Sequence, residues 1–163
     1  MDVYLGAKCE FCISVGTGFD AIPYIFRRPS LFVNMVPLGY LGTFMKKSAA
    51  ITKHYYSVKE GRDLTLAEIF AKGVGFSLFT SDYKFKGVEL IENTAEEIRD
   101  VVVEMVERIK GNWKPHEHDE ALQKRFWEIY PTGALDDQGV RLHGEIRARF
   151  GAKFLRDNRE WLK

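Results

Sequence analysis

The residues best suited to bind a ligand lie in a glycine turn, Gly16-Thr17-Gly18, which follows a short apolar run. Glycine adopts positive φ angles and lets an anion approach the backbone, and Thr17 adds a hydroxyl donor. If a helix follows the turn, the N–H groups at its start point at such an anion, and the helix dipole favours it. The turn is therefore a candidate phosphate site, although many strand-to-helix turns use glycine for geometry alone.

The side chains near this turn leave two interpretations open. The carboxylate of Asp20 could cap the following helix and would repel a phosphate, or it could accept hydrogen bonds from sugar or ribose hydroxyls. Farther along, four side chains could supply the positive charge that a diphosphate requires, or could be ordinary solvated residues: Lys46, Lys47, Lys53 and His54.

A strand, a crossover helix and a second strand must hold these residues. Residues 11–15 and 30–36 are apolar runs rich in Phe, Ile and Val, which predicts strands covered on both faces of a parallel sheet. Phe19, Ile22 and Phe26 form an apolar stripe at helical spacing between them. The link is too long for a hairpin, so the pattern predicts a βαβ unit.

The next stretch predicts a long irregular segment that runs from Pro37 to about Asp63. Long segments of this kind are usually functional or disordered. This one leaves the carboxyl end of a strand, with Asn34 at its entrance, where open α/β sheets bind their ligands.

Two helices farther along have clear start signals. Thr65 and Glu68 form a capping-box pattern that predicts a helix start. Residues 88–91 predict a third strand, after which Asn93 or Thr94 caps the strongest amphipathic helix of the chain. In that helix, the pattern places the Glu104–Arg108 pair opposite the apolar face.

The sequence as a whole predicts a single domain over residues 1–163, with an α/β core at 1–112 and a helical C-terminal region at 113–163. The expected fold class is α/β: a Rossmann-like half with a small parallel sheet flanked by helices. No site for a metal or another cofactor is expected, because Cys9 and Cys12 lack a second pair and residues 116–119 lack further ligands nearby.

Composition excludes several classes of protein. The chain has 163 residues, of which 24 are basic and 23 acidic, so no net field favours nucleic acid or an anionic membrane. No apolar stretch approaches the roughly 18 residues of a membrane span, and the first residues do not resemble a signal peptide. We therefore expect a cytoplasmic protein that binds neither nucleic acid nor membrane.

Several motifs together resemble the C-terminal half of putative bacterial glycosyltransferases of the two-domain GT-B type, a family often associated with surface polysaccharide. The resemblance spans nearly the whole chain and rests on diffuse motifs: Gly16-Thr17-Gly18, Asn34, Pro37-Leu38, Leu64-Thr65, Glu68-Ile69, Glu97-Ile98, Glu104-Met105 and Arg149-Phe150-Gly151.

The resemblance implies a domain that binds a nucleotide diphosphate sugar, with Gly16, Thr17, Gly18 and Phe19 facing the diphosphate and Asn34 at the next strand end. It implies sugar transfer in a cleft against an N-terminal domain, which this sequence lacks. Two alternatives are a non-catalytic nucleotide-sugar or protein-binding module and a relative of the sugar epimerases. An epimerase needs an acid and a base, for which only Asp20 and His54 are candidates.

A small parallel sheet also has consequences for assembly. If only three strands are present, one sheet edge stays open, and open edges invite pairing with another chain. We therefore expect a homo-oligomer or a partner that supplies the missing N-terminal domain.

Overall fold

The computed structural model describes all 163 residues, which form seven strands, seven α-helices and four short 3-10 helices. The strands are β1 (Cys12–Ser14), β2 (Ser30–Met35), β3 (Ala49–Thr52), β4 (His54–Ser57), β5 (Arg62–Asp63), β6 (Val88–Ile91) and β7 (Arg149–Phe150). The α-helices are α1 (Asp2–Lys8), α2 (Ala21–Ile25), α3 (Leu66–Ala71), α4 (Thr80–Phe85), α5 (Ala95–Lys110), α6 (Asp119–Ile129) and α7 (Ala152–Asp157). The 3-10 helices are Gly18–Asp20, Leu38–Tyr40, Val74–Phe76 and Arg159–Leu162.

The larger sheet is parallel and has the strand order β1-β2-β3-β7. Strand β1 pairs in parallel with β2, with Ile13 opposite Leu31, and helix α2 lies between them in the chain. The predicted βαβ unit and the α/β fold class are confirmed. The smaller sheet is antiparallel, in the order β5-β4-β6.

Two expectations about the first βαβ unit are wrong. Strand β2 is almost entirely buried, but β1 is an edge strand whose Ile13 is 49% exposed. The apolar stripe of the crossover is also largely exposed, since Phe19 and Phe26 leave 42% and 49% of their surface in solvent. Apolar spacing predicted the helix correctly but not how much of that helix the core would cover.

The predicted irregular segment 37–63 is instead the centre of the molecule. It contains β3, whose Ala49, Ala50 and Ile51 are buried, and it continues into β4 and β5. Strand β3 escaped prediction because alanine is a poor strand former and leaves no bulky alternating pattern. The third predicted strand, residues 88–91, exists as β6 but lies in the antiparallel sheet against β4.

The helix start signals are confirmed. The side chains of Thr65 before α3 and Thr94 before α5 each accept a hydrogen bond from the backbone N–H of a glutamate three residues later. The carboxylate of that glutamate in turn accepts a hydrogen bond from the threonine backbone N–H. Helix α5 ends at Gly111, whose φ of 75° is left-handed.

The polar face predicted for α5 is wrong in one respect, because Glu104 lies in the core. Its side chain is 1% exposed, and it accepts hydrogen bonds from the Ala152 backbone N–H at 2.7 Å and from Arg108 Nε at 2.8 Å. A buried carboxylate needs such partners to offset its loss of hydration. Glu104 therefore attaches α5 to the start of α7.

The C-terminal region supplies helices and also the last strand of the parallel sheet. Strand β7 pairs with β3 through Ala49–Arg149 and Ala50–Phe150. On its outer side, the buried side chain of Gln123 donates to the Phe150 carbonyl at 2.5 Å and accepts from the Phe150 N–H at 3.1 Å. Gln123 thus replaces a neighbouring strand and closes this edge of the sheet.

We expect Gln123→Leu to lower the free energy of unfolding by about 2 to 4 kcal/mol, because both backbone groups of Phe150 would stay buried without partners. Gln123→Glu is the companion variant: its ionised carboxylate still accepts from the N–H but is buried with its other oxygen facing the Phe150 carbonyl oxygen, so at pH 7 its loss should be at least as large as that of Gln123→Leu. Urea unfolding followed by circular dichroism measures both, and a Leu variant as stable as the original chain would contradict the role of Gln123.

None of the helices combines the length and the apolar character that crossing a membrane requires.

Candidate functional site

The carboxyl edge of the parallel sheet, where its strands end, brings the predicted residues onto one side of the molecule. Gly16 follows β1, Asn34 lies near the end of β2, and Lys53 follows β3. Neighbouring strands lie about 5 Å apart, so the three positions form a row across three adjacent strands.

Gly16 is required by the geometry of its turn. Its φ is 87°, a left-handed value that other residues rarely adopt, and a Cβ atom there would lie 3.1 Å from the sulfur of Met35. Its N–H donates to Ser14 Oγ at 3.2 Å, so this amide is already used within the turn.

The next three backbone amides, those of Thr17, Gly18 and Phe19, donate to no acceptor in the chain. All three residues are exposed, whereas the following Asp20 N–H donates to the Thr17 carbonyl at 3.0 Å. Consecutive unpaired N–H groups form an anion-binding surface. The helical segment after the turn is short, so its dipole adds little.

Asp20 does not cap the helix, because its side chain makes no capping hydrogen bond. One of its carboxylate oxygens, Oδ1, is buried without any partner. Burial, and then the negative charge of Asp20, raise the pKa of the Cys12 thiol above its ordinary value. Cys12 consequently stays protonated, and its thiol is not an activated nucleophile.

Asn34 holds the fold together at this edge. Its N–H donates to Asn93 Oδ1 at 2.8 Å, and its own Oδ1 accepts from the Asn93 N–H at 2.6 Å. Asn93 Nδ2 in turn donates to the Thr52 carbonyl at 2.8 Å. The side-chain oxygen of Asn34 is therefore already engaged in a bridge from β2 through Asn93 to β3.

A cavity of about 510 Å³ opens at the end of β3, next to Lys53. The Lys53 ammonium lies 3.0 Å from a carboxylate oxygen of Glu92, which offsets much of its charge. Helix α7 and the last 3-10 helix form the opposite wall, where Phe154 and Trp161 provide aromatic surface.

His54, the first residue of β4, lies between two carboxylates. Its Nδ1 is 3.3 Å from Asp63 Oδ2, and its Nε2 is 3.0 Å from Glu97 Oε1. Each ring nitrogen of His54 therefore faces a carboxylate oxygen. Sequence reasoning missed this arrangement because Glu97 is 43 residues away, and its capping-box pattern gave no sign of a second partner.

Asp119, which the sequence offered as a possible metal ligand, is bonded to other residues of the chain. Asp119, within the His-rich residues 116–119, is fully buried and bonds Arg156 Nη1 at 2.5 Å and the His116 N–H at 2.8 Å. Burial opposes ionisation, but these two donors outweigh it and hold the pKa of Asp119 below its ordinary value. No group of three or more His, Cys, Asp or Glu side chains is arranged to hold a metal ion.

Comparisons of this chain with protein-family models, with curated proteins and with solved structures found no match. The resemblance to glycosyltransferases thus stays a prediction.

We expect Asn34→Gly to lower the free energy of unfolding by about 1 to 2 kcal/mol, because the Asn93 N–H loses its acceptor. Asn34→Ala should cost roughly 1 kcal/mol more, since Asn34 has a φ of 51° and alanine adopts that conformation less readily. Urea unfolding distinguishes the two effects. If Asn34→Gly unfolds at the same urea concentration as the original chain, the bridge to Asn93 contributes nothing.

The lowered pKa of Asp119 makes stability depend on pH in the acidic range. A carboxyl group whose pKa is depressed by folding stabilises fully above its unfolded pKa, about 3.9, and this contribution is lost as pH falls through the folded pKa. We expect Asp119→Asn to cost roughly 2 kcal/mol at pH 7 and much less near pH 2 to 3. Urea unfolding at both pH values tests this, and a gap that does not change with pH would contradict it.

Proposed function

We propose that this chain binds a nucleotide diphosphate sugar at the carboxyl edge of its parallel sheet. The observation that carries the proposal is the set of three exposed amides, of Thr17, Gly18 and Phe19, that have no acceptor in the chain. Backbone N–H groups after the first strand of an α/β sheet are the usual donors to a diphosphate.

The rest of the same edge is suited to the sugar more than to the phosphates. Its cavity is lined by side chains of both signs, including Arg62, Asp63 and Asp157, and by the ring of Trp161. Carboxylates accept hydrogen bonds from hydroxyl groups, and an aromatic ring can cover the apolar face of a sugar. Asp20, with one oxygen unpartnered, is a further acceptor beside the turn.

Sugar transfer rests on the resemblance alone, whereas the expectation of a homo-oligomer or a partner domain rests also on the open edge of the sheet at β1. The epimerase alternative is weakened because both ring nitrogens of His54 already face carboxylates, which leaves no free nitrogen to act as a base. The same observation favours a non-catalytic nucleotide-sugar module as the second candidate.

Gly18 offers a sharp test, because proline at this position removes one amide donor without removing a native hydrogen bond. Thr17 has φ −111° and ψ 167°, which suits a residue before proline, and Gly18 begins a helical turn, where proline is favoured. A Cβ atom at Gly18 meets no atom within 4 Å.

We expect Gly18→Pro to weaken binding of uridine diphosphate glucose about tenfold or more, because a charge-assisted hydrogen bond to the diphosphate is lost. Gly18→Ala keeps the N–H and is the matched control, so its affinity should change much less. Isothermal titration gives both affinities, and thermal unfolding checks that neither variant is destabilised.

Two outcomes would contradict the proposal. In the first, Gly18→Pro and Gly18→Ala bind the nucleotide sugar equally well. In the second, none of a panel of uridine, guanosine, thymidine and cytidine diphosphate sugars raises the melting temperature of the original chain. For a chain that binds, product analysis with the donor alone separates an epimerase, which changes the sugar, from a binding module, which does not.

A further inference from the structure

A second, smaller cavity lies at the amino edge of the parallel sheet, where its strands begin. It has a volume of about 220 Å³ and is enclosed by the residues that open β3 and β7 and by the last turns of α5. Four of its eight lining residues are cationic and none is acidic; the cations are Lys47, Arg108, Arg147 and Arg149. We refer to this space as the arginine cavity.

The three arginines keep N–H donors that their ion pairs do not use. Each contacts one carboxylate: Arg108 Nε with Glu104 at 2.8 Å, Arg147 Nε with Glu145 at 2.7 Å, and Arg149 Nη2 with Glu120 at 2.6 Å. None of these glutamates lines the arginine cavity, and Lys47 has no ion pair. Because a guanidinium group has five N–H donors, each arginine keeps donors for another acceptor.

Two of the arginine nitrogen atoms are buried and have no hydrogen-bond partner in the chain. Arg108 Nη2 and Arg149 Nε have almost no exposed surface and form no hydrogen bond, although the Arg108 guanidinium lies 4.7 Å from the centroid of the Trp113 ring. A buried donor with no acceptor costs free energy, so native structures rarely keep one without a ligand or an ordered water. Arg108 lies in the last turn of α5, where the helix dipole favours a cation, but this dipole provides no hydrogen-bond acceptor for Arg149.

We propose that the arginine cavity binds a phosphate group. A planar guanidinium group can donate two parallel hydrogen bonds to a pair of phosphate oxygens, and a lysine adds a point charge. Sulfate has the same shape and the same double negative charge as the phosphate dianion, so it should compete for the site. The site lies at the opposite end of the strands from the glycine turn and does not depend on the function proposed above.

A wider groove of about 780 Å³ adjoins the arginine cavity and shares Arg147 with it. It adds the cations Arg27, Arg28 and Lys46 and one carboxylate, that of Glu145, which is paired with Arg147. The rings of Tyr24 and Phe44 stand edge to face with centroids 5.2 Å apart. The groove can hold the organic part of a phosphate monoester against these rings. Inorganic phosphate and phenyl phosphate therefore serve as two probes that share the phosphate and differ in the ring.

Three methionines lie at three different sites, so their NMR signals can distinguish where a ligand binds. Met105 lines the arginine cavity, Met45 lines the adjoining groove, and Met35 packs against Gly16 at the carboxyl edge. With ¹³C-labelled methionine methyl groups, inorganic phosphate should shift the Met105 signal and leave Met35 unchanged. Phenyl phosphate should shift Met105 and Met45, and a nucleotide sugar at the carboxyl edge should shift Met35.

Variants of the cavity make the assignment quantitative. At constant ionic strength, Arg149→Gln and Lys47→Gln should each weaken phosphate binding about tenfold, because each removes a charged donor. Lys84→Gln is the matched control, since Lys84 is an exposed lysine without an ion pair on α4, and it should bind phosphate as the original chain does. Gly18→Pro should also leave the Met105 response unchanged.

The proposal is overturned if phosphate shifts Met105 no more than chloride does at equal ionic strength, or if Lys84→Gln weakens binding as much as Arg149→Gln. Equal affinity for the two probes with a Met105 shift supports a site for free phosphate, and tighter binding of phenyl phosphate with a Met45 shift supports a monoester. Both results are independent of whether a nucleotide sugar binds at the carboxyl edge.

Discussion

The bridge centred on Asn93 determines how the parts of this molecule fit together. Through its side chain and its backbone N–H, Asn93 bonds Asn34 at the end of β2 and the Thr52 carbonyl at the end of β3, and helix α5 begins two residues later. The bridge therefore sets both the spacing of the central strands and the starting point of the longest helix. Because the start of α5 is fixed at the carboxyl edge, its last turns reach the amino edge.

This arrangement separates the charges of the protein between the two ends of the sheet. Side chains of both signs meet at the carboxyl edge, where Lys53 pairs with Glu92 and His54 lies between Asp63 and Glu97. Cations predominate at the amino edge, where α5 adds Arg108 to the lysine and the arginines that precede β3 and β7. The net charge of the whole chain, +1, does not show this difference between the two edges.

Much of the framework could be predicted from the sequence, because its signals are local. The glycine turn and the capping boxes at Thr65 and Thr94 depend on residues within a few positions of one another, and the first βαβ unit joins neighbouring elements of the chain. Strand β3 could not be predicted in this way, because its alanines are buried by neighbours that lie far away in the sequence. Strand β7, with two residues, is similarly defined by its pairing with β3 and by Gln123.

The same distinction applies to the sites. Local spacing predicted the glycine turn as a site and put Asn34 and Lys53 near the same edge of the sheet. It could not reveal that Asn93 and Glu92 already engage these two side chains. The arginine cavity had no sequence signal at all, because its cations come from three separate segments of the chain. Long-range hydrogen bonds and ion pairs decide which polar side chains are free, and these require the folded structure.

The side chain of Gln123 has a consequence for how this architecture can be enlarged. Because it occupies both backbone groups of Phe150 on the outer side of β7, a new strand cannot be added there without displacing α6. Strand β1 has a neighbour on one side only, so the parallel sheet can grow in one direction. An engineer who wished to graft another structural module in register with this sheet would have to join it beside β1, next to the glycine turn.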